Sequence, residues 1–264
     1  MVISITSPST ANITDTQSSV SVTVSGKANP GNIVAVSLRI NGITVASNSG
    51  TGTTVSISFN TTVRSNIYTN AEGSSLSGCV SIFASEYTSE GEFISSTSKT
   101  GGTLTIAARL TSLSVSTANP YNLDSITDIL MSWTRPHSAF RGRIYVKVNG
   151  VTCISRSGFN TAPSFTPDAG EITAMENAMG GTSPGSIQFI AETGFVASST
   201  VYYTSGALSL TRSSGIVKSF YAGSRVYLKV AGTYQPHLSY AKIAGTWKLA
   251  QVYGKVAGVW KESL

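Results

Sequence analysis

The residues of this chain best placed to do chemistry are aromatic and basic, and they recur. Tyr227, Lys229 and Tyr234, then Tyr240, Lys242 and Trp247, then Tyr253, Lys255 and Trp260 hold matching places in three copies that start 13 residues apart. Such a set can stack a ring on the flat face of a sugar while an ammonium group contacts hydroxyls or phosphates. It can equally be structural, with Lys over a ring as a cation–π pair worth about 0.5–1 kcal/mol when exposed, holding the repeat or its oligomer contacts together. These nine residues are the candidate binding set, for a surface ligand or for another subunit.

A copy of this length is too short for a pair of helices. Its alternating side chains, interrupted by a Gly-containing dipeptide, predict one tight β-hairpin per copy. With a two-residue turn at Ala257-Gly258, Val256 lies opposite Val259, Lys255 opposite Trp260 and Gly254 opposite Lys261. The same alternation puts Tyr253, Lys255 and Trp260 on one face. A meander of about forty residues has little core of its own, so docking on another subunit or self-association into a homo-oligomer is expected.

Other constellations are sparse. His137 follows Arg135-Pro136 and His237 follows Pro236, and neither has a second metal-binding residue at a useful spacing, so no metal site is expected. Glu90 and Glu92 flank Gly91 in a predicted hairpin tip, and Glu171 and Glu176 stand five apart on a predicted helix. Neither pair is arranged as the two facing carboxylates that glycoside hydrolysis needs. There is no Gly-x-Ser-x-Gly elbow, Walker motif or GxGxxG after a strand, so no catalytic residues and no cofactors are expected. Cys79 and Cys153 fall in separate strand-like contexts and read as small buried hydrophobes, not as a disulfide or redox pair.

The net charge of +6 is local. Residues 1–214 hold 11 Lys and Arg against 11 Asp and Glu, whereas residues 215–264 hold seven against Glu262 alone. A basic field of this kind favours anionic partners and also keeps strand edges from pairing with other chains. The lysines come one set per repeat rather than as a dense run, so nucleic acid is not an expected partner. No apolar run is long enough to span a bilayer, and Met-Val-Ile-Ser-Ile-Thr-Ser-Pro does not resemble a signal peptide, so neither membrane insertion nor signal-led export is expected.

What must carry the repeats is an all-β body. Residues 1–107 alternate at Val20–Val24, Val34–Ile40, Ile43–Val45, Val55–Phe59, Cys79–Phe83, Phe93–Ile94 and Thr103–Ile106, with Ser4–Pro8 as a first edge strand. Seven short period-two strands between Gly, Pro and Asn turns predict an immunoglobulin-like β-sandwich. Residues 108–213 repeat the theme at Leu113–Val115, Ile129–Trp133, Arg143–Val148, Val151–Ile154, Ile187–Ile190, Val201–Tyr203 and Leu208–Leu210, with Trp133 as a candidate central tryptophan. Asn41-Gly42 and Asn149-Gly150 are hairpin turns, since both residue types tolerate positive φ. One short helix is predicted over 168–179, opened by Thr166-Pro167-Asp168, carrying Ile172, Met175 and Met179 inward and stopped at Gly180-Gly181. The expected organisation is therefore two immunoglobulin-like sandwiches, 1–107 and 108–213, followed by a basic hairpin tail, 214–264.

The run Tyr253-Gly-Lys-Val-Ala-Gly-Val-Trp-Lys261 resembles the C-terminal repeats of tail, tip and fibre proteins of tailed bacteriophages, over about residues 225–264. It has Ala-Gly where Asn-Gly is frequent in those repeats, and Tyr234-Gln235 stands in the first copy for Trp-Lys. Val22–Gly26 and Leu38–Gly42 are similar to bacterial and phage immunoglobulin-like modules. The resemblance implies a non-enzymatic virion protein, assembled in the host cytoplasm with other virion proteins, that takes part in host attachment or subunit docking. A capsid decoration or head-fibre protein, and a carbohydrate-binding or carbohydrate-active protein, are the alternatives.

Overall fold

The computed structural model describes residues 2–198 and 200–219, apart from the side chains at 204 and 205, and beyond them only the paired strands of the tail, as backbone. The first ten elements along the chain are β1 (Ser4–Ser7), β2 (Ile13–Thr14), β3 (Ser19–Ser25), β4 (Ile33–Ile40), β5 (Ile43–Gly50), β6 (Thr54–Ser58), α1 (Thr61–Ala71), β7 (Val80–Tyr87), β8 (Phe93–Gly102) and β9 (Leu104–Thr105). They form an antiparallel sheet β1-β3-β6, an antiparallel sheet β5-β4-β7-β8 and a short parallel pair β2-β9. Period two dictates this packing: Val20, Val22 and Val24 of one sheet and Val34, Val36, Leu38 and Ile40 of the other are all buried. The wet faces spend the chain's many hydroxyls on cross-strand pairs such as Ser21–Ser56 at 2.8 Å and Thr23–Thr54 at 2.9 Å.

The next elements follow the same order: β10 (Thr111–Val115), β11 (Tyr121–Asn122), β12 (Ile129–Thr134), β13 (Phe140–Val148), β14 (Val151–Phe159), β15 (Ser164–Phe165), α2 (Ala169–Met179), β16 (Gly185–Ala197) and β17 (Thr200–Val217). Their sheets are β10-β12-β15 and β11-β17-β16-β13-β14, with β11 parallel to β17 as β2 is to β9. Trp133 on β12 is the buried central tryptophan, its Nε1 donating to the Asn160 carbonyl at 2.6 Å. Gly142 on β13 lies under that ring so closely that a Cβ there would come within 2.2 Å of it.

The likeness of the two units extends to single contacts. Each unit has one β-hairpin with an Asn-Gly turn of positive φ, at Asn41 (51°) and Gly42 (82°) and at Asn149 (45°) and Gly150 (85°). Asn41 Nδ2 donates to the Asn70 carbonyl at 2.6 Å, and Asn149 Nδ2 donates to the Ala178 carbonyl at 3.1 Å. The turn thus satisfies a carbonyl that the last turn of each helix leaves unpaired. The N-caps Asn60 and Asp168 and the buried Ile67 and Met175 correspond as well, all 108 positions apart in sequence (149 − 41, 168 − 60, 175 − 67). The fold is all-β, with two tandem immunoglobulin-like sandwiches built on one plan.

Four details differ from the sequence reading. A second helix, α1, stands where no element was expected, between the strands at Val55–Phe59 and Cys79–Phe83, because Thr- and Asn-rich sequence has weak helix propensity and this helix is held by burial of Ile67, Tyr68 and Ala71. Val201–Tyr203 and Leu208–Leu210 belong to one strand, β17, in which Gly206 (φ 99°) lies opposite a register shift between Glu192 and Gly194, so the glycine marks a bulge and not a turn. Both cysteines are free, but only Cys79 is buried, while Cys153 on the edge strand β14 is half-buried. The tail forms three separate two-stranded sheets among the described residues instead of a continuous meander, in keeping with short Lys-bearing strands that do not extend pairing outward.

If the two Asn-to-helix bonds do the same work, Asn41→Ala and Asn149→Ala should each lower unfolding stability by about 1–2 kcal/mol, from a lost hydrogen bond and a less tolerated positive φ. Urea denaturation monitored by tryptophan fluorescence and by far-ultraviolet dichroism reads this. No change in either variant would show the bonds to be incidental.

Candidate functional site

The nine candidate binding residues fall on six short strands: β18 (Val226–Val230), β19 (Thr233–His237), β20 (Tyr240–Ile243), β21 (Thr246–Leu249), β22 (Tyr253–Val256) and β23 (Val259–Glu262). The pairing is β18 with β19, β20 with β21 and β22 with β23, each antiparallel. Lys229 is opposite Tyr234, Lys242 opposite Trp247 and Lys255 opposite Trp260. Tyr227, Tyr240 and Tyr253 stand two positions before each Lys, so each trio shares one face of its hairpin by strand parity. Val256 is opposite Val259 and Gly254 opposite Lys261, as a two-residue turn demands, while Ala257 and Gly258 themselves and the side-chain clustering of the trios lie outside the described residues. His237 takes the last position of β19, opposite Val226.

The junction between the two sandwiches fixes where the second one, and with it the exit of the chain, is held. Asp15 is fully buried; its carboxylate accepts from the Ala107 amide at 2.6 Å, the Ala108 amide at 3.1 Å and the Tyr68 hydroxyl at 3.0 Å. Burial, then the Asp15 charge, push the Tyr68 hydroxyl well above its usual range. The Tyr68 ring meets Phe140 edge-on at 5.1 Å and lies 6.2 Å from Phe195 and 5.6 Å from His137. The Gly73 amide donates to the Val196 carbonyl at 3.2 Å, and the Ser198 amide to the Ser74 carbonyl at 3.1 Å. At the far end of the second sandwich, Asp124 accepts from the Ser219 amide at 2.7 Å, which holds its carboxyl below the usual range and ties down the departing chain much as Asp15 does at Ala107.

The acidic residues weighed from sequence have partners of their own. Glu171 completes a capping box with Asp168 and pairs with Arg156 at 2.6 Å, and Glu176 pairs with Lys218. Glu90 and Glu92 lie exposed at the turn between β7 and β8, where the Thr88 amide donates to the Glu92 carbonyl at 2.8 Å. Among the described residues no group of three or more His, Cys, Asp or Glu is placed to hold a metal ion, and no helix is long and apolar enough to cross a membrane. Sequence reasoning passed over two arginine–aromatic pairs on the outer sheet faces: Arg39 lies 4.1 Å from the Phe83 ring centre and Arg143 lies 4.1 Å from that of Tyr203. Each residue sits at a wet position of a period-two strand, but spacing does not say which strand lies beside it.

No protein-family model matches the chain, and no curated protein is significantly similar to it. Among solved structures it is similar to fibronectin(III)-like modules of CbhA from Clostridium thermocellum, at 12% identity and a TM-score of 0.27, over 82% of this chain and 94% of that one. It is also similar to a Ca2+-stabilized ice-binding adhesin of an Antarctic bacterium (13%, TM-score 0.29, 83% and 49%) and to Rst D1-D2 (8%, TM-score 0.36, 83% and 100%). Likenesses this distant carry no argument about what the chain does.

His137 is expected to make the junction sensitive to acid. Its Nδ1 accepts from the Ala139 amide at 3.2 Å and its Nε2 meets the Thr69 hydroxyl at 3.3 Å, and burial holds its pKa below the ordinary value against the opposing pull of Glu72. A depressed histidine pKa favours the neutral ring in the folded state. Its contribution is therefore fully present above the unfolded value of about 6.5 and is lost as pH falls through the lower folded value. Urea unfolding of wild type should weaken over that window, and His137→Gln should flatten the dependence; a wild-type curve that strengthens on acidification there would contradict it.

Proposed function

We propose that the chain is a non-enzymatic structural protein of a bacteriophage virion, a tail or tail-fibre component in which two joined sandwiches carry a hairpin tail that contacts the host surface or a neighbouring subunit. The observation that carries this reading is the register of the tail. Three successive hairpins set a Lys opposite an aromatic residue at the same step, with a Tyr two positions away each time. A hairpin of four or five residues per strand gains little stability from its own fold, so side-chain identity kept through three copies points to contacts made outward. The junction supports it too, because a spacer is useful for presentation only if its units do not swing freely, and Asp15 and Tyr68 join the first unit to the second.

The tail suits two partners. Rings beside an ammonium group stack on sugar faces, which suits a host cell-surface glycan, while the same set packs well in the apolar centre of a protein interface. Virion partners and a homo-oligomer belong to the second case. The placement at the tail, and not on the capsid as a decoration or head fibre, rests on the repeat.

Removing residues 225–264 separates the two. If the tail attaches to the host, particles carrying the truncated chain assemble and fail to adsorb, with adsorption lower by tenfold or more. If it docks subunits, particles lose the protein or do not assemble. Full assembly with full adsorption contradicts the proposal. A finer test is Trp247→Ala with Trp260→Ala in the full chain, since loss of two stacked rings at about 1–3 kcal/mol each should abolish measurable cell binding if glycan is the partner.

A further inference from the structure

The outer face of the sheet β5-β4-β7-β8 carries a shallow trough of about 430 Å³, within the size range of small-ligand sites. Its lining is unusual in charge and chemistry. Ser37, Thr44, Ser47, Ser85 and Ser96 line it with hydroxyls, Phe83 and Tyr87 supply aromatic walls, and Arg39 is the one charged residue, with no carboxylate present. Phe93, 60% exposed, extends the Tyr87 wall, the two rings meeting at 5.8 Å.

Arg39 stands apart from the other described arginines. Arg64, Arg109, Arg135 and Arg141 donate to carbonyls, Arg212 does likewise, and Arg143 and Arg156 pair with carboxylates. Arg39 has a ring beneath it and no polar partner among the described residues; its Nε is covered and has no acceptor. The Phe83 ring, 4.1 Å from Cζ, restrains the guanidinium before any ligand arrives, and its Nη groups, unlike the covered Nε, are the donors an incoming oxygen would meet. A planar fork of donors matches a carboxylate. Hydroxyls that both donate and accept match the vicinal hydroxyls of a sugar ring, and an aromatic wall matches its apolar face. A single cation suits one charge per unit, not the dense charge of a nucleic acid.

We propose that this trough binds a carboxylate-bearing sugar unit of a surface polysaccharide, with Arg39 holding the carboxylate, Phe83 fixing Arg39, and the serines of β4, β7 and β8 reading the hydroxyls. This site is independent of the hairpin tail and stands whether or not the tail attaches to the host.

The test uses the full chain, titrated with galacturonic, glucuronic and N-acetylneuraminic acids, their methyl esters and neutral galactose, followed by amide and arginine Nε–H nuclear magnetic resonance shifts. At least one acid should move the signals of Arg39, Ser37, Ser85 and Ser96 together. Arg39→Gln should weaken that binding by about tenfold or more, the loss of one charge-assisted contact, and so should esterification of the sugar. Phe83→Leu, which keeps the charge but removes the platform, should weaken it less. An unchanged thermal midpoint in Arg39→Gln establishes that the fold is intact. The proposal is overturned if no acid shifts the trough, if the acid and its ester bind alike, or if Arg39→Gln binds as well as wild type, as it would were the tail lysines the receptor.

Discussion

Asp15 is a carboxylate with no exposure to solvent, and the arrangement of the two sandwiches depends on how it is satisfied. Two of its three donors are the amides of Ala107 and Ala108, where the chain passes from one unit to the next, and the third is the hydroxyl of Tyr68 on α1. A buried carboxylate left short of donors is costly, so the connecting chain and the helix are held to it together. The ring whose hydroxyl is bound in this way is the ring that packs on Phe140 and Phe195 of the second sandwich. One polar group thus sets both the path of the connection and the position of the apolar contact.

The duplicated plan gives that junction its meaning. Both units tie the Asn of a β-turn to a carbonyl near the end of their helix, and both fix the departing chain with an acidic residue just after a short strand, Asp15 in one and Asp124 in the other. They diverge where they meet their neighbours. Tyr68 in α1 corresponds to Glu176 in α2, which pairs with Lys218 and presents no ring to pack upon. The first helix is therefore built to receive a sandwich, whereas the second is closed by an ion pair.

Much of the body was legible because its signals are local. Period-two runs mark β3, β4, β7 and β13, Asn-Gly marks the turns at 41–42 and 149–150, and Thr166-Pro167-Asp168 marks the start of α2. In the tail, the pairing of Lys255 with Trp260 follows from the position of the turn. What could not be read depends on residues far apart in the chain. Helix α1 has only Asn60 and the four-residue spacing of Val63, Ile67 and Ala71 to announce it, and its stability comes from what it buries. Gly206 looks like a turn until strand β16 is placed beside it. The joining of Tyr68 to Phe140 and the stacking of Arg39 on Phe83 leave no trace in spacing, since each requires knowing which strand lies next to which.

That two copies of one sandwich act as a single spacer is the claim on which presentation of the tail rests. Spin labels at Ser49 and Ser209, in full-length protein with Cys153 changed to Ser and Cys79 left buried, would give the distance between the units by double electron–electron resonance. A single narrow distribution is predicted, because the Asp15 and Tyr68 contacts leave one arrangement. A broad or multi-peaked distribution in the native protein would show units that swing independently and would contradict the account.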